Sequence, residues 1–232
     1  MHYFGGKARI SKRLVAFIQP YCTNASMYWE PFCGACWVLH RIEHPRKIAS
    51  DLNESLILMW QALQHGWKPP RTVSEEEYVA LRRSPSSPLK AFVGFGCSFA
   101  GRWFEGYARG GEGRNYATSA ANSLETKLAG CRNVQFIHGD YAQLYKQLNP
   151  EGAVIYCDPP YQGTKECRAV GHFDSTLFWN YMRDWSKANR VFVSEYAAPE
   201  DFVSVWEHAT KTEIRGACGR LTRVEKLFRY QG

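Results

Sequence analysis

Asp158-Pro159-Pro160-Tyr161 brings a carboxylate, a prolyl carbonyl and a phenol ring together in one stiff stretch of a 232-residue chain. Each prolyl ring holds its own φ at about −65° and restricts the residue before it. The backbone therefore runs as an extended turn that presents acid and aromatic side by side. A carboxylate and a carbonyl aimed at one point can accept both hydrogens of an exocyclic amine, while the tyrosine face stacks on the heterocycle that bears it. This combination suits an adenine or cytosine amine whose lone pair is kept toward an electrophile. A base cannot be gripped in this way inside a duplex, so it must be swung out at a cost of about a few kcal/mol, part of which aromatic stacking returns at ~1–3 kcal/mol per base. The plain alternative, a rigid exit from a strand, leaves the acid and the ring without a task.

The tetrapeptide follows Ala153-Val-Ile-Tyr-Cys157, an apolar run that reads as a buried parallel strand. Ligands of open α/β sheets bind outside the carboxyl ends of the strands, which puts Asp158 at the active edge. Strand and helix patterns alternate on both sides of it. A helix is predicted over 7–19, ending before Pro20, followed by a strand over 26–31 and a helix through Val38, Leu39 and Ile42. A strand over 47–51 and a helix over Glu54 to Gln64 come next. After residue 132, strands are predicted at 133–140, 153–158 and 190–196, and helices at 141–148, 174–187 and 199–207. KTEIRG and TRVEKLFRY read as two closing strands. This alternation predicts one doubly wound α/β domain over 1–66 and 133–232, interrupted by an insertion at 67–132. The insertion has a different texture, with Pro-Pro, Ser-Pro and glycine-rich stretches and helices starting near Ser74 and running from Thr118 to Gly130.

Composition narrows the class. At 45% hydrophobic and 22% charged the chain can bury a real core, and a net charge of +7 favours polyanionic partners. No run reaches the ~18 apolar residues of a membrane helix, and the amino terminus lacks the apolar core of a signal peptide. A cytoplasmic protein without a membrane is expected. Its eight cysteines read as buried hydrophobes and free thiols.

Taken together, the motifs resemble S-adenosylmethionine-dependent DNA adenine-N6 methyltransferases, the group that includes the GATC-methylating enzymes and many phage homologues. Tyr3-Phe4-Gly5-Gly6-Lys7 is similar to that family's amino-terminal cofactor motif, and Glu30-Pro31-Phe32-Cys33-Gly34-Ala35 to the loop after its first strand. Asp51-Leu52-Asn53 is similar to the acid after the second strand, Gly139-Asp140-Tyr141 to the motif after the third, and Asp158 to Tyr161 to the catalytic motif. The resemblance implies a Rossmann-like methyltransferase sheet with an inserted, mostly helical target-recognition subdomain. It implies S-adenosylmethionine as cofactor, double-stranded DNA as partner, no metal, and a monomer or weak dimer. Cofactor contacts are expected from Tyr3, Lys7, Pro31, Phe32, Gly34, Asp51, Asp140 and Asp158, and catalysis from Asp158, Pro159 and Tyr161. Gly34 would let backbone approach the methionine part, Asp51 would grip the ribose hydroxyls, Asp140 would orient the cofactor's adenine, and Lys7 would pair with a carboxylate or phosphate. The family loop has a second glycine where this chain has Cys36, whose side chain would either crowd the cofactor and alter its affinity or be tolerated by the loop as a small residue.

Alternatives differ in substrate or in class. RNA adenine and protein glutamine amides are acted on through related motifs, although Asn usually replaces the Asp158-type acid for the amide. Cys33-Gly-Ala-Cys36 has the layout of a thioredoxin-like redox site, which needs a lowered thiol pKa. In the insertion, aromatics interleave with Lys90, Arg102, Arg109 and Arg114. Most of these aromatics read as core, while the basic residues are expected to contact DNA phosphates or a groove.

Overall fold

The computed structural model describes residues 1–111, 114–162, 173–212 and 221–232. Seven strands form one sheet among these residues, in the order β3-β2-β1-β4-β5-β7-β6. The strands are β1 (Tyr28–Glu30), β2 (Lys47–Asp51), β3 (Val134–His138), β4 (Val154–Cys157), β5 (Arg190–Glu195), β6 (Phe202–Thr212) and β7 (Leu221–Tyr230). The first five are parallel, and β7 runs antiparallel to both β5 and β6. The chain winds outward from β1 to β2 and β3, then returns to β4 on the other side of β1. That reversal leaves a crevice outside the carboxyl ends of β1 and β4, the switch point at which doubly wound sheets take ligands. The expected doubly wound Rossmann-like sheet is present.

Alternating side chains divide the sheet into two cores. On one face, Tyr28, Tyr156 and Phe192 pack with α1 (Ser11–Cys22), α2 (Glu54–Gln64), α4 (Pro88–Gly96) and α5 (Tyr116–Cys131). On the other, Trp29, Ile155, Val191 and Val193 pack with α6 (Tyr141–Leu148) and α7 (Ser175–Ser186). The helices α4 and α5 of segment 67–132 share the core of α2 through Phe92, Phe95 and Leu124. The short α3 (Glu75–Arg82) opens on a full capping box between Ser74 and Glu77.

Four sequence expectations differ from the structure. Helix α1 runs through Pro20 to Cys22, because a proline in the last turn forfeits only one internal bond. The helix expected through Val38 and Ile42 is a single 3₁₀ turn, Leu39–Arg41, after Cys36 takes a left-handed φ of 54°. Segment 199–207 enters strand β6 instead of forming a helix, since Phe202 onward pairs along β7 and ladder bonding overrides local propensity. Helix α4 is an addition to the predicted elements; its signal is Ser87 as cap with Pro88 in the first turn. Part of KTEIRG, together with Cys167 and Cys218, lies outside the described residues.

Candidate active site

Strand β4 is buried along its whole length, and it delivers Asp158 into the crevice. Opposite it, the carbonyl of Lys7 accepts the first bonds of the chain entering α1, from the amides of Ile10 and Ser11, which fixes the backbone there. The Lys7 ammonium sits 2.8 Å from Asp158 Oδ1 and 3.8 Å from Glu225 Oε2, and 4.5 Å from the centre of the Tyr161 ring. Tyr161 donates its hydroxyl to Glu225 Oε2 at 3.0 Å and meets Tyr196 edge-on at 4.7 Å. Burial pushes the Asp158 carboxyl above its ordinary range, and the neighbouring ammonium only partly opposes this. Burial also drives the Tyr161 phenol well upward, so the ring stays neutral.

The other half of the crevice is made of backbone and acids. Gly34 takes φ +46°, and a Cβ there would lie 2.9 Å from the Tyr3 ring. Its amide donates to Asp51 Oδ2 at 3.0 Å, while Asp51 Oδ1 accepts from Asn53 at 2.9 Å. Asp140 caps α6 by accepting from Ala142 and Gln143 through a single oxygen, Oδ1. Phe32 rests against Tyr141 and Phe178, and Tyr3 against Phe95. Tyr3, Lys7, Pro31, Phe32, Gly34, Asp51, Asp140, Asp158, Pro159 and Tyr161 all line one cavity of about 510 Å³. Residues from both ends of the sequence thus meet in one place. The cavity combines a side-chain-free glycine loop, two carboxylates at strand ends that can accept from hydroxyls or an amine, and aromatic walls. That donor and acceptor set fits a nucleoside-bearing amino acid such as S-adenosylmethionine.

Several expectations need correcting. Cys36 does not line the cavity; its thiol is buried against Cys131, so it does not crowd a ligand. The redox reading of Cys33 and Cys36 fails on electrostatics, because burial pushes the Cys33 thiol up to about 11 and Cys36 well above its ordinary value. The Lys7 ammonium meets the carboxylates of the crevice and donates to the Gly5 carbonyl at 3.3 Å. Of the basic residues, Arg102 lines the cavity rim, stacked over Phe4 and 3.6 Å from Glu105. Arg109 is exposed and pairs with Glu75 at 2.5 Å, Arg114 covers the Tyr116 ring, and Lys90 donates to the Ser84 carbonyl; none of these three lines the cavity.

Two site residues escape sequence reasoning. Glu225 lies on β7, 64 residues after Tyr161, and no local pattern marks it. Lys127 of α5 is fully buried beneath the glycine loop, where its ammonium donates to the Ala35 carbonyl and sits 4.2 Å from the centre of the Trp37 ring. It has no carboxylate partner among the described residues, and burial lowers it from 10.5 to about 8. The unfolded chain therefore holds this proton more tightly, so Lys127 costs the fold most below pH 8 and stability recovers as pH rises from about 8 to 10.5. Lys127→Met should remove this trend. Across that window the melting temperature of the wild type should rise relative to the variant, and a flat difference in thermal unfolding would refute the assignment.

Among the described residues, no group of three His, Cys, Asp or Glu side chains is placed to hold a metal, and no helix is long and apolar enough to cross a membrane. A family model described as D12 class N6 adenine-specific DNA methyltransferase matches residues 3–84 and 107–195. No curated protein sequence matches the chain. Among solved structures, the chain is similar to the rRNA methyltransferase AviRa of Streptomyces viridochromogenes, with a TM-score of 0.48 and 12% identity over 99% of this chain and 87% of the other. A second AviRa structure gives 0.45 and 15% over 97% and 85%. A likeness this remote carries no argument about this chain.

Proposed function

We propose, for a chain that belongs to the D12 class N6 adenine-specific DNA methyltransferase family and is an S-adenosylmethionine-dependent methyltransferase, that its substrate is a flipped-out adenine in double-stranded DNA. The observation that carries this reading is the single cavity in which Asp158, Pro159 and Tyr161 face Gly34, Asp51 and Asp140. S-adenosylmethionine, when bound, supplies an already activated methyl group, so the chain need provide neither a nucleophile of its own nor a metal. Tyr3, Pro31, Phe32, Gly34, Asp51 and Asp140 would hold it. Asp158 and the Pro159 carbonyl accept the two N6 hydrogens and orient the nitrogen lone pair. Tyr161 carries the face of the base. As the amine gains positive charge, the Asp158 carboxylate stabilises it in a site that is already organised.

Segment 67–132 supplies target recognition in this reading, with Lys90, Arg102, Arg109 and Arg114 toward the nucleic acid. Arg109 is exposed and held by a carboxylate at the surface, and phosphate can replace Glu75 at little cost. Arg109→Ala should weaken duplex binding and lower the slope of log K against log salt by about 0.9 for each phosphate that the guanidinium neutralises. An unchanged slope in a filter-binding titration would remove Arg109 from the interface.

The whole reading is tested by expressing the protein in a host without adenine methylation and sequencing its DNA for N6-methyladenine. Methylated adenines are expected. Their absence, together with methyl transfer to RNA in a direct competition between duplex DNA and RNA, would replace the DNA substrate with RNA.

A further inference from the structure

Asp158 is occupied in this structure. Its Oδ1 holds the Lys7 ammonium at 2.8 Å, so the carboxylate that the proposed chemistry turns toward an incoming amine already neutralises a cation. A lysine left there would also set a positive charge beside a nitrogen that is itself becoming positive, weakening the stabilisation that Asp158 provides. The ammonium needs somewhere else to go, and among the described residues Glu225 is the next carboxylate, 3.8 Å away. Glu225 is tied in place by two phenols. Oε2 accepts from Tyr161 at 3.0 Å and Oε1 from Tyr196 at 3.5 Å.

Building on the adenine reading above, we propose that Glu225 is a positioning residue that takes Lys7 over from Asp158 when the substrate amine arrives, while holding Tyr161 by its hydroxyl for stacking. No covalent bond is made or broken in this step; one ammonium exchanges one carboxylate partner for another. The charges facing the exchange come from several elements: Lys7 before α1, Asp158 after β4, Glu225 on β7 and Glu195 at the end of β5. Glu195 accepts from the amides of Gln162 and Tyr196, and burial raises it to about 6. Glu30 on β1 is pushed well upward by burial, and Tyr156 and Tyr161 stay neutral for the same reason. Without Glu225, Lys7 keeps Asp158 as its remaining close carboxylate among the described residues and holds its charge away from the amine.

Glu225→Gln preserves an acceptor for the Tyr161 hydroxyl and removes the charge that draws Lys7. Binding of S-adenosylmethionine, measured by calorimetry, should stay within about twofold of wild type, since Glu225 faces the tyrosine side of the cavity. The single-turnover rate of methyl transfer to an adenine-containing duplex should fall about 10- to 100-fold, the scale of a single charge-assisted hydrogen bond. The acid limb of that rate's pH profile should move to lower pH, because Asp158 loses a like-charged neighbour while keeping Lys7. An unchanged rate, or a reduced rate with an unmoved acid limb, would overturn the proposal and leave Glu225 a structural partner of Tyr161. A carbon-13 titration of the Asp158 carboxyl, assigned with Asp158→Asn, reads the same competition without substrate, and an Asp158 pKa that does not fall in Glu225→Gln overturns it equally. Wild-type protein that transfers no methyl to the duplex would sink the adenine reading, while this titration still decides the role of Glu225.

Discussion

Asp158→Ala should abolish methyl transfer, by about a thousandfold or more, while S-adenosylmethionine binds nearly as well as before. The size follows from what the carboxylate does. It is both an acceptor that orients the amine and the negative charge beside a nitrogen that becomes positive, so its removal is felt mainly in the transition state. The fold should survive the change. Stranding one charge of a buried pair ordinarily costs about 3–5 kcal/mol, but Lys7 retains Glu225 at 3.8 Å as a second partner. Single-turnover assays with labelled cofactor, calorimetry and a thermal melt separate these effects. Retained turnover would reject the role of Asp158. Abolished cofactor binding would show that the acid serves the other half of the cavity.

Gly34→Val should have the second largest effect, and it should act on the other ligand. At φ +46° an L-residue pays about 1–2 kcal/mol, and the added Cβ would meet Tyr3 Cε1 at 2.9 Å. The Tyr3 ring has little room to retreat, because it rests on Phe95 with ring centres 4.6 Å apart. Tyr3 or the loop must therefore move into the cavity, and affinity for S-adenosylmethionine should fall about 100-fold or more, with a melting temperature lowered by about 2–8 °C. Cys36→Gly is the matched control. That position is also left-handed, at φ 54°, but its side chain is buried away from the cavity lining. Cofactor affinity within about threefold of wild type is expected there. Equal losses at both positions, measured by calorimetry, would mean that the loop responds to any change and that Gly34 has no special closeness to the ligand.

Patterns that are local in the chain can be read directly. The apolar run before Asp158 marks β4, two prolines mark a stiff exit, and Ser74 with Glu77 marks the start of α3. The readings that fail are those in which a distant partner decides. Segment 199–207 has the look of a helix start, yet pairing with β7 makes it a strand. Cys36 looks like an obstacle because a sequence does not say which way a side chain turns; left-handed backbone and the contact with Cys131 turn it into the core.

By itself the sequence determined the class of sheet, the order of its motifs and the placing of a carboxylate, carbonyl and phenol at one strand end, because these depend on residues close together in the chain. Only the tertiary structure decided who faces whom. Lys7 before α1, Asp158 after β4 and Glu225 on β7 are joined by the antiparallel return of the last strand. Lys127 reaches Ala35 across 92 residues of chain. The physical reason is that charge pairing and burial depend on separations of a few ångströms in space, which contacts between distant segments set and local periodicity does not encode.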